Sequence, residues 1–103
     1  MMARHLLWSA LVISATLVAV LAASADDAEL GREVYDEFCV NCHGRDLVNP
    51  GTVSFDLRKF PKDDFERFRG VVLNGKGKAM PSWRDKITDD DVKLLWAYVK
   101  NGG

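Results

Sequence analysis

Downstream of residue 25 the apolar positions follow a helical period in three stretches and no period in the two between them. Leu30, Val34 and Phe38 stand at four-residue steps behind the acidic run Asp26-Asp27-Ala28-Glu29. That spacing predicts a helix with one apolar stripe, its carboxylates facing the positive end of the dipole. Phe65, Phe68 and Val72 repeat the pattern, with Asp63 and Asp64 suited to a first turn and Asn74-Gly75 behind, which predicts a second helix over 62–73. The third stripe is Val92, Leu95, Trp96 and Val99. Thr88 is its N-cap, Asp89, Asp90 and Asp91 fill its first turn, and Ile87 and Val92 stand at hydrophobic-staple positions. The stretches 44–61 and 75–86 show neither the helical nor the alternating period, and no internal repeat is present. The expected fold class is all-α, three main helices joined by long loops.

One residue strains this pattern. Gly31 lies inside the first predicted helix, where glycine costs about 1 kcal/mol relative to alanine. A packing reason is expected: the missing side chain lets another helix come close.

Ahead of these elements, Arg4 precedes an uncharged, mostly apolar run from Leu6 to Ala23, and Ala23-Ser24-Ala25 offers small residues for cleavage. This order reads as a signal peptide over 1–25, cleaved after Ala25, with one domain over 26–103 exported to the periplasm. A retained membrane anchor is the alternative, since the run is just long enough for a span. The whole chain has 103 residues and a formal net charge of −1, and loss of Arg4 with the leader makes it one unit more negative. That balance excludes a nucleic-acid binder. A chain this short rarely builds a sufficient core alone and calls for a staple.

Cys39-Val40-Asn41-Cys42-His43 supplies one. Cysteines separated by two residues, with histidine directly after the second, are the attachment signature of c-type haem. Each thiol adds to a haem vinyl group to give a thioether, and the histidine becomes the proximal iron ligand. A thioredoxin-like pair would need a βαβ context, and a structural zinc site needs four ligands where residues after Ala25 offer only Cys39, Cys42 and His43. The aperiodic stretch 44–61 is long for a loop without a function. Wrapping a haem is such a function, with Phe55, Leu57 and Phe60 on the ring. Arg58 or Lys59 would meet its propionates, unless both are simply solvated. Met1 and Met2 leave with the leader, so Met80, in a loop bounded by Gly77 and Pro81, is the only remaining thioether and the expected second axial ligand.

With these residues the chain resembles a class I c-type cytochrome along nearly the whole of 26–103. The resemblance is carried by Gly31 and Tyr35 in the first helix, the Cys39–His43 motif, Ala79-Met80-Pro81, and Leu94-Leu95-Trp96-Ala97-Tyr98-Val99 in the last helix. It implies a cytochrome c fold around one covalently attached haem c, with Gly31 and Tyr35 packed on Leu95 and Tyr98 where the terminal helices cross. It also implies a proline carbonyl, here Pro50, accepting the second ring proton of His43. Phe55-Asp56-Leu57-Arg58-Lys59-Phe60-Pro61 and Met80-Pro81-Ser82-Trp83 are similar to small cytochromes serving periplasmic quinoprotein alcohol dehydrogenases. On that likeness Pro50, Arg58 and Trp83 belong to the haem environment.

The resulting expectation is a monomeric one-electron carrier and not an enzyme. Its partners are redox proteins such as a quinoprotein dehydrogenase and a terminal oxidase, and it meets a membrane only if the N-terminal segment is retained. A haem peroxidase would need a distal acid-base group, and His43 is the only histidine after residue 25. The alternative is a gas-sensing module in which a small ligand displaces Met80.

Overall fold

The computed structural model describes residues 25–102. The expected leader 1–25 thus lies almost wholly outside the described residues. Four helices follow in order: α1 (25–38), α2 (Val40–His43), α3 (Phe65–Asn74) and α4 (Asp89–Lys100). Two single 3₁₀ turns, Arg45–Leu47 and Leu57–Lys59, punctuate the long connection between α2 and α3. No strand forms among the described residues, and the one β-bridge pairs Lys76 with Met80. The fold is all-helical, as the periodicity predicts.

α4 is fixed at its start by a reciprocal capping box. The Thr88 hydroxyl accepts from the Asp91 N–H at 3.1 Å and the Asp91 carboxylate accepts from the Thr88 N–H at 3.0 Å. Ile87 and Val92, the staple pair, are both buried. α3 begins three residues later than its stripe predicts, because the Asp64 carboxylate takes the N-cap position and accepts from the Arg67 N–H at 3.2 Å. The expected Asp64 in the first turn is therefore corrected to a cap. Arg69 reaches across from α3 to Asp89 in the first turn of α4 at 2.9 Å, and that guanidinium holds the Asp89 carboxyl below its usual range.

α1 crosses α4 at Gly31. A Cβ built on Gly31 would stand 1.9 Å from the Leu94 carbonyl oxygen and 3.1 Å from the Tyr98 Cβ. Only a residue without a side chain permits this approach, so the packing reason expected for Gly31 holds. Its nearest backbone neighbour is Leu94, where the resemblance implies Leu95; Leu95 is buried in the same core. One turn on, the Tyr35 and Tyr98 rings meet at 5.2 Å between centroids. The buried face of α1 is consequently Gly31 and Tyr35 flanked by Val34 and Phe38, and Leu30 is 46% exposed. The predicted stripe is rotated: the glycine has to face α4, which moves position 30 to the rim.

Between α3 and α4 lies an aromatic cluster. Trp96 packs on Phe68 at 5.1 Å, Phe65 at 5.9 Å and Phe60 at 6.1 Å. These helices and rings form a rigid back wall, and the two loops close the opposite side.

Candidate functional site

α1 ends at residue 38, so its last turn delivers Cys39 to the N-cap position of α2, and α2 carries Cys42 and His43. The chain then reverses sharply. Gly44 adopts φ 88°, and a Cβ there would stand 1.8 Å from the Val48 carbonyl oxygen. The Tyr35 hydroxyl donates to the Gly44 carbonyl at 2.5 Å within the core, tying this reversal to α1. Burial raises the Tyr35 phenol above its usual pKa, with smaller contributions from Cys39 and Tyr98, so it remains a donor.

Met80 lies on the loop that follows α3. Lys76 N–H donates to the Met80 carbonyl at 2.9 Å, Trp83 N–H donates to the Val72 carbonyl at 3.1 Å, and the Ser82 hydroxyl donates to the Leu73 carbonyl. The loop is thus fastened at two points to the C-terminal half of α3 and closed on itself by the Lys76–Met80 bond. Trp83 lies against Phe38 at 5.6 Å, bridging this loop to α1.

The two loops and the back wall enclose a cavity of about 380 Å³. Cys39, Cys42, His43, Met80 and Trp83 all border it. Its remaining wall is mainly apolar, with Phe55, Leu57 and Phe60 present as the sequence predicts, backed by Val72 and Leu95. Burial pushes the Cys39 thiol up to about 12, with Cys42 adding to the effect, which marks that wall as a poor solvent for charge.

Two predicted site residues are placed elsewhere. Pro50 is exposed, stands outside the cavity wall, and its ring Cδ would sit 2.9 Å from a Cβ on Gly44. The His43 Nδ1 is instead 3.1 Å from the Phe55 carbonyl oxygen. The correction has a simple cause: the reversal at Gly44 turns the chain early, and the loop returns past the imidazole five residues beyond Pro50. A carbonyl only accepts, so the contact selects the tautomer with the proton on Nδ1, the one that offers Nε2 as a ligand. Arg58 also stands outside the cavity wall. Its guanidinium makes a bidentate pair with Asp56, at 3.0 Å and 2.9 Å, and holds that carboxyl below the usual carboxylate range.

The cations that do border the cavity are Arg67 and Lys76, and no carboxylate borders it. Neither is marked by the sequence pattern as a partner for the haem carboxylates, although Lys76 stands close to Met80 in sequence. Arg67 sits one residue ahead of Phe68 at the edge of the α3 stripe, where its guanidinium lies 5.2 Å over the Phe60 ring. That position was a readable sign only of a solvated helix edge. The Phe55 carbonyl was not readable at all, being a backbone atom in an aperiodic loop.

Two thiols, an imidazole with a free Nε2, and a thioether therefore share one apolar chamber with two cations. This donor set fits haem c: thiols for the vinyl groups, nitrogen and sulfur for the iron, apolar walls for the ring and positive charge for its two carboxylates. A family model described as "Cytochrome C oxidase, cbb3-type, subunit III" matches residues 26–99. The chain belongs to this family of c-type cytochrome domains. Its cofactor is haem c, and the family's covalent attachment accounts for Cys39 and Cys42.

The relatives agree. Chloroplastic cytochrome c6 of Chlamydomonas reinhardtii is 33% identical over 102 residues, covering 90% of this chain and 68% of that protein. The quinohemoprotein alcohol dehydrogenase ADH IIB of Pseudomonas putida is 32% identical over 79 residues, covering 75% of this chain and 11% of the enzyme. The cbb3-type cytochrome c oxidase subunit CcoP of Azospirillum brasilense is 31% identical over 84 residues, covering 74% of this chain and 28% of the subunit. The chain thus spans only a small part of those last two relatives. No solved structure matches the chain.

Proposed function

We propose that this cytochrome is an exported one-electron carrier whose haem c is joined to Cys39 and Cys42, with His43 and Met80 on the iron. The observation that carries this reading is the common cavity: both thiols, the imidazole and the thioether sulfur of residues far apart in sequence border a single apolar chamber. When bound, haem c supplies the redox chemistry, storing one electron on its iron. The chain's residues fix everything else. His43 keeps its Nδ1 proton on the Phe55 carbonyl, which leaves Nε2 as the nitrogen for the iron. The hydrogen bonds of the Met80 loop, to α3 and within itself, hold Met80 at the chamber wall. Phe38, Leu57, Val72 and Leu95 exclude water, which favours the ferrous state and raises the midpoint potential, as histidine–methionine ligation does. Arg67 and Lys76 bring positive charge to the chamber for the two haem carboxylates. With His43 and Met80 both holding the group, the chain would leave a substrate no place at the iron, so the haem would pass electrons only.

Residues 1–25 have the order of an exported leader, which supports cleavage after Ala25 and a periplasmic location. Relatives named as an alcohol dehydrogenase and an oxidase subunit carry a matching stretch within longer chains, which favours a dehydrogenase as donor and a terminal oxidase as acceptor. The decisive experiment is Met80→Ala. It should retain attached haem, lose the methionine–iron absorption band and lower the midpoint potential. An unchanged spectrum would refute ligation by Met80.

A further inference from the structure

The segment from Asn49 to Phe55 contains neither helix nor strand, yet one side chain braces it throughout. Asn49 Oδ1 accepts from the N–H groups of Gly51 at 2.9 Å and Thr52 at 3.0 Å, and Asn49 Nδ2 donates to the Ser54 carbonyl at 2.6 Å. The hoop is also fastened to α2, because the Thr52 hydroxyl donates to the Cys42 carbonyl at 2.9 Å. The next carbonyl after the braced Ser54 belongs to Phe55, and it is this one that meets His43 Nδ1 at 3.1 Å. Only the φ and ψ torsions of Phe55 stand between the two carbonyls, so the held Ser54 carbonyl sets the point from which those two torsions direct the Phe55 carbonyl. On the other flank of His43, the Tyr35 hydroxyl anchors Gly44. The imidazole is therefore held between a buried tyrosine on one side and a loop whose shape depends on one amide.

We propose that Asn49 is a positioning residue for His43: its three hydrogen bonds hold the Phe55 carbonyl as acceptor for the Nδ1 proton, and so set the tautomer and basicity of the ring. The tautomer claim stands on the hydrogen bonds alone. The redox consequence rests on the reading of His43 as an iron ligand. A ring that shares its second proton is a stronger donor, which favours ferric iron, so loosening the hoop should raise the midpoint potential.

The test uses the intact holoprotein. Asn49→Ala is compared with the natural chain by nitrogen-15 NMR of His43 in the reduced state, by exchange of its Nδ1 proton with solvent, and by redox titration. The expected result is retained haem and unchanged helix content, with proton exchange about two- to tenfold faster, the factor that one net hydrogen bond carries, and a higher midpoint potential. Thr52→Val unties the hoop from Cys42 and removes the hydroxyl's longer contacts with Asn49 Oδ1 and the Ser54 N–H, but leaves the three Asn49 bonds to backbone, and should speed exchange less. If Asn49→Ala fails to mature, Asn49→Asp keeps the two bonds from Gly51 and Thr52, loses only the donation to Ser54, and should give an intermediate exchange rate. Exchange at the natural rate in a folded Asn49→Ala or Asn49→Asp protein would overturn the brace. Faster exchange with an unmoved potential would uphold the brace and overturn ligation of the iron by His43.

Discussion

At the crossing of α1 and α4, Gly31 brings one backbone onto another and Tyr35, Tyr98, Leu95 and Val99 are buried to 4% exposure or less. Across the cavity, the hoop before Phe55 leaves Val53 fully exposed and Phe55 52% exposed, and its order comes from side-chain bonds to backbone. The first region is held by close packing between regular helices, whose own backbone groups are already paired. The second has no repetitive structure to pair its backbone, so Asn49, Thr52 and Asp56 do so one bond at a time. Packed contacts lose energy steeply when volume changes, whereas a loop brace fails locally. The crossing should therefore govern global stability, and the loops should govern the state of the haem ligands.

The strongest way to break this contrast is Gly31→Val. With a Cβ forced to 1.9 Å from the Leu94 carbonyl, α1 and α4 have to part, and the cost should exceed the roughly 1–3 kcal/mol of ordinary overpacking. Denaturant titration would show it. A loss under about 0.5 kcal/mol, the range of surface sites, would mean that the crossing does not control stability.

Tyr35→Phe should come next. It keeps the ring against Tyr98 but leaves the buried Gly44 carbonyl without its donor, a cost of about 1–3 kcal/mol. This substitution also tests the link between the two regions, because Gly44 directly follows His43. Burial raises the pKa of both Tyr35 and Tyr98 in the folded chain. Their contribution to stability is thus complete below the unfolded tyrosine pKa of about 10. Above it the unfolded state releases protons that the folded state retains, so stability falls as pH rises. Urea midpoints measured from pH 9 upward should decline in the natural chain, and less steeply in Tyr35→Phe.

The smallest effect is expected of Tyr98→Phe. The Tyr98 hydroxyl is buried without a hydrogen-bond partner among the described residues, so its removal gives up no bond. Stability should change by no more than about 0.5 kcal/mol, or rise slightly. A large loss would show that the hydroxyl has a partner and that the tyrosine pair is more than ring packing.

Most of the helical half was legible in the residues themselves. The stripes of α3 and α4, the Thr88 cap and the need for a close neighbour at Gly31 are local or periodic signals, and each appears in the fold. The departures there are small and have local causes: a cap at Asp64 shortens α3, and the glycine contact rotates the stripe so that Leu30 faces outward. The Cys39–His43 spacing likewise carried its chemistry in five consecutive residues. What only the tertiary structure decided lies in the loops. Arg58 was as good a cation on paper as Arg67, but Asp56, two residues away, engages it, and the path of α3 brings Arg67 to the cavity instead. Pro50 was the natural acceptor for His43 by resemblance, yet the bond goes to the carbonyl of Phe55. Side-chain periodicity records which face of a regular element is buried. A loop has no period, and the direction of its carbonyls follows from bonds such as those of Asn49 that form only once the chain has closed on itself.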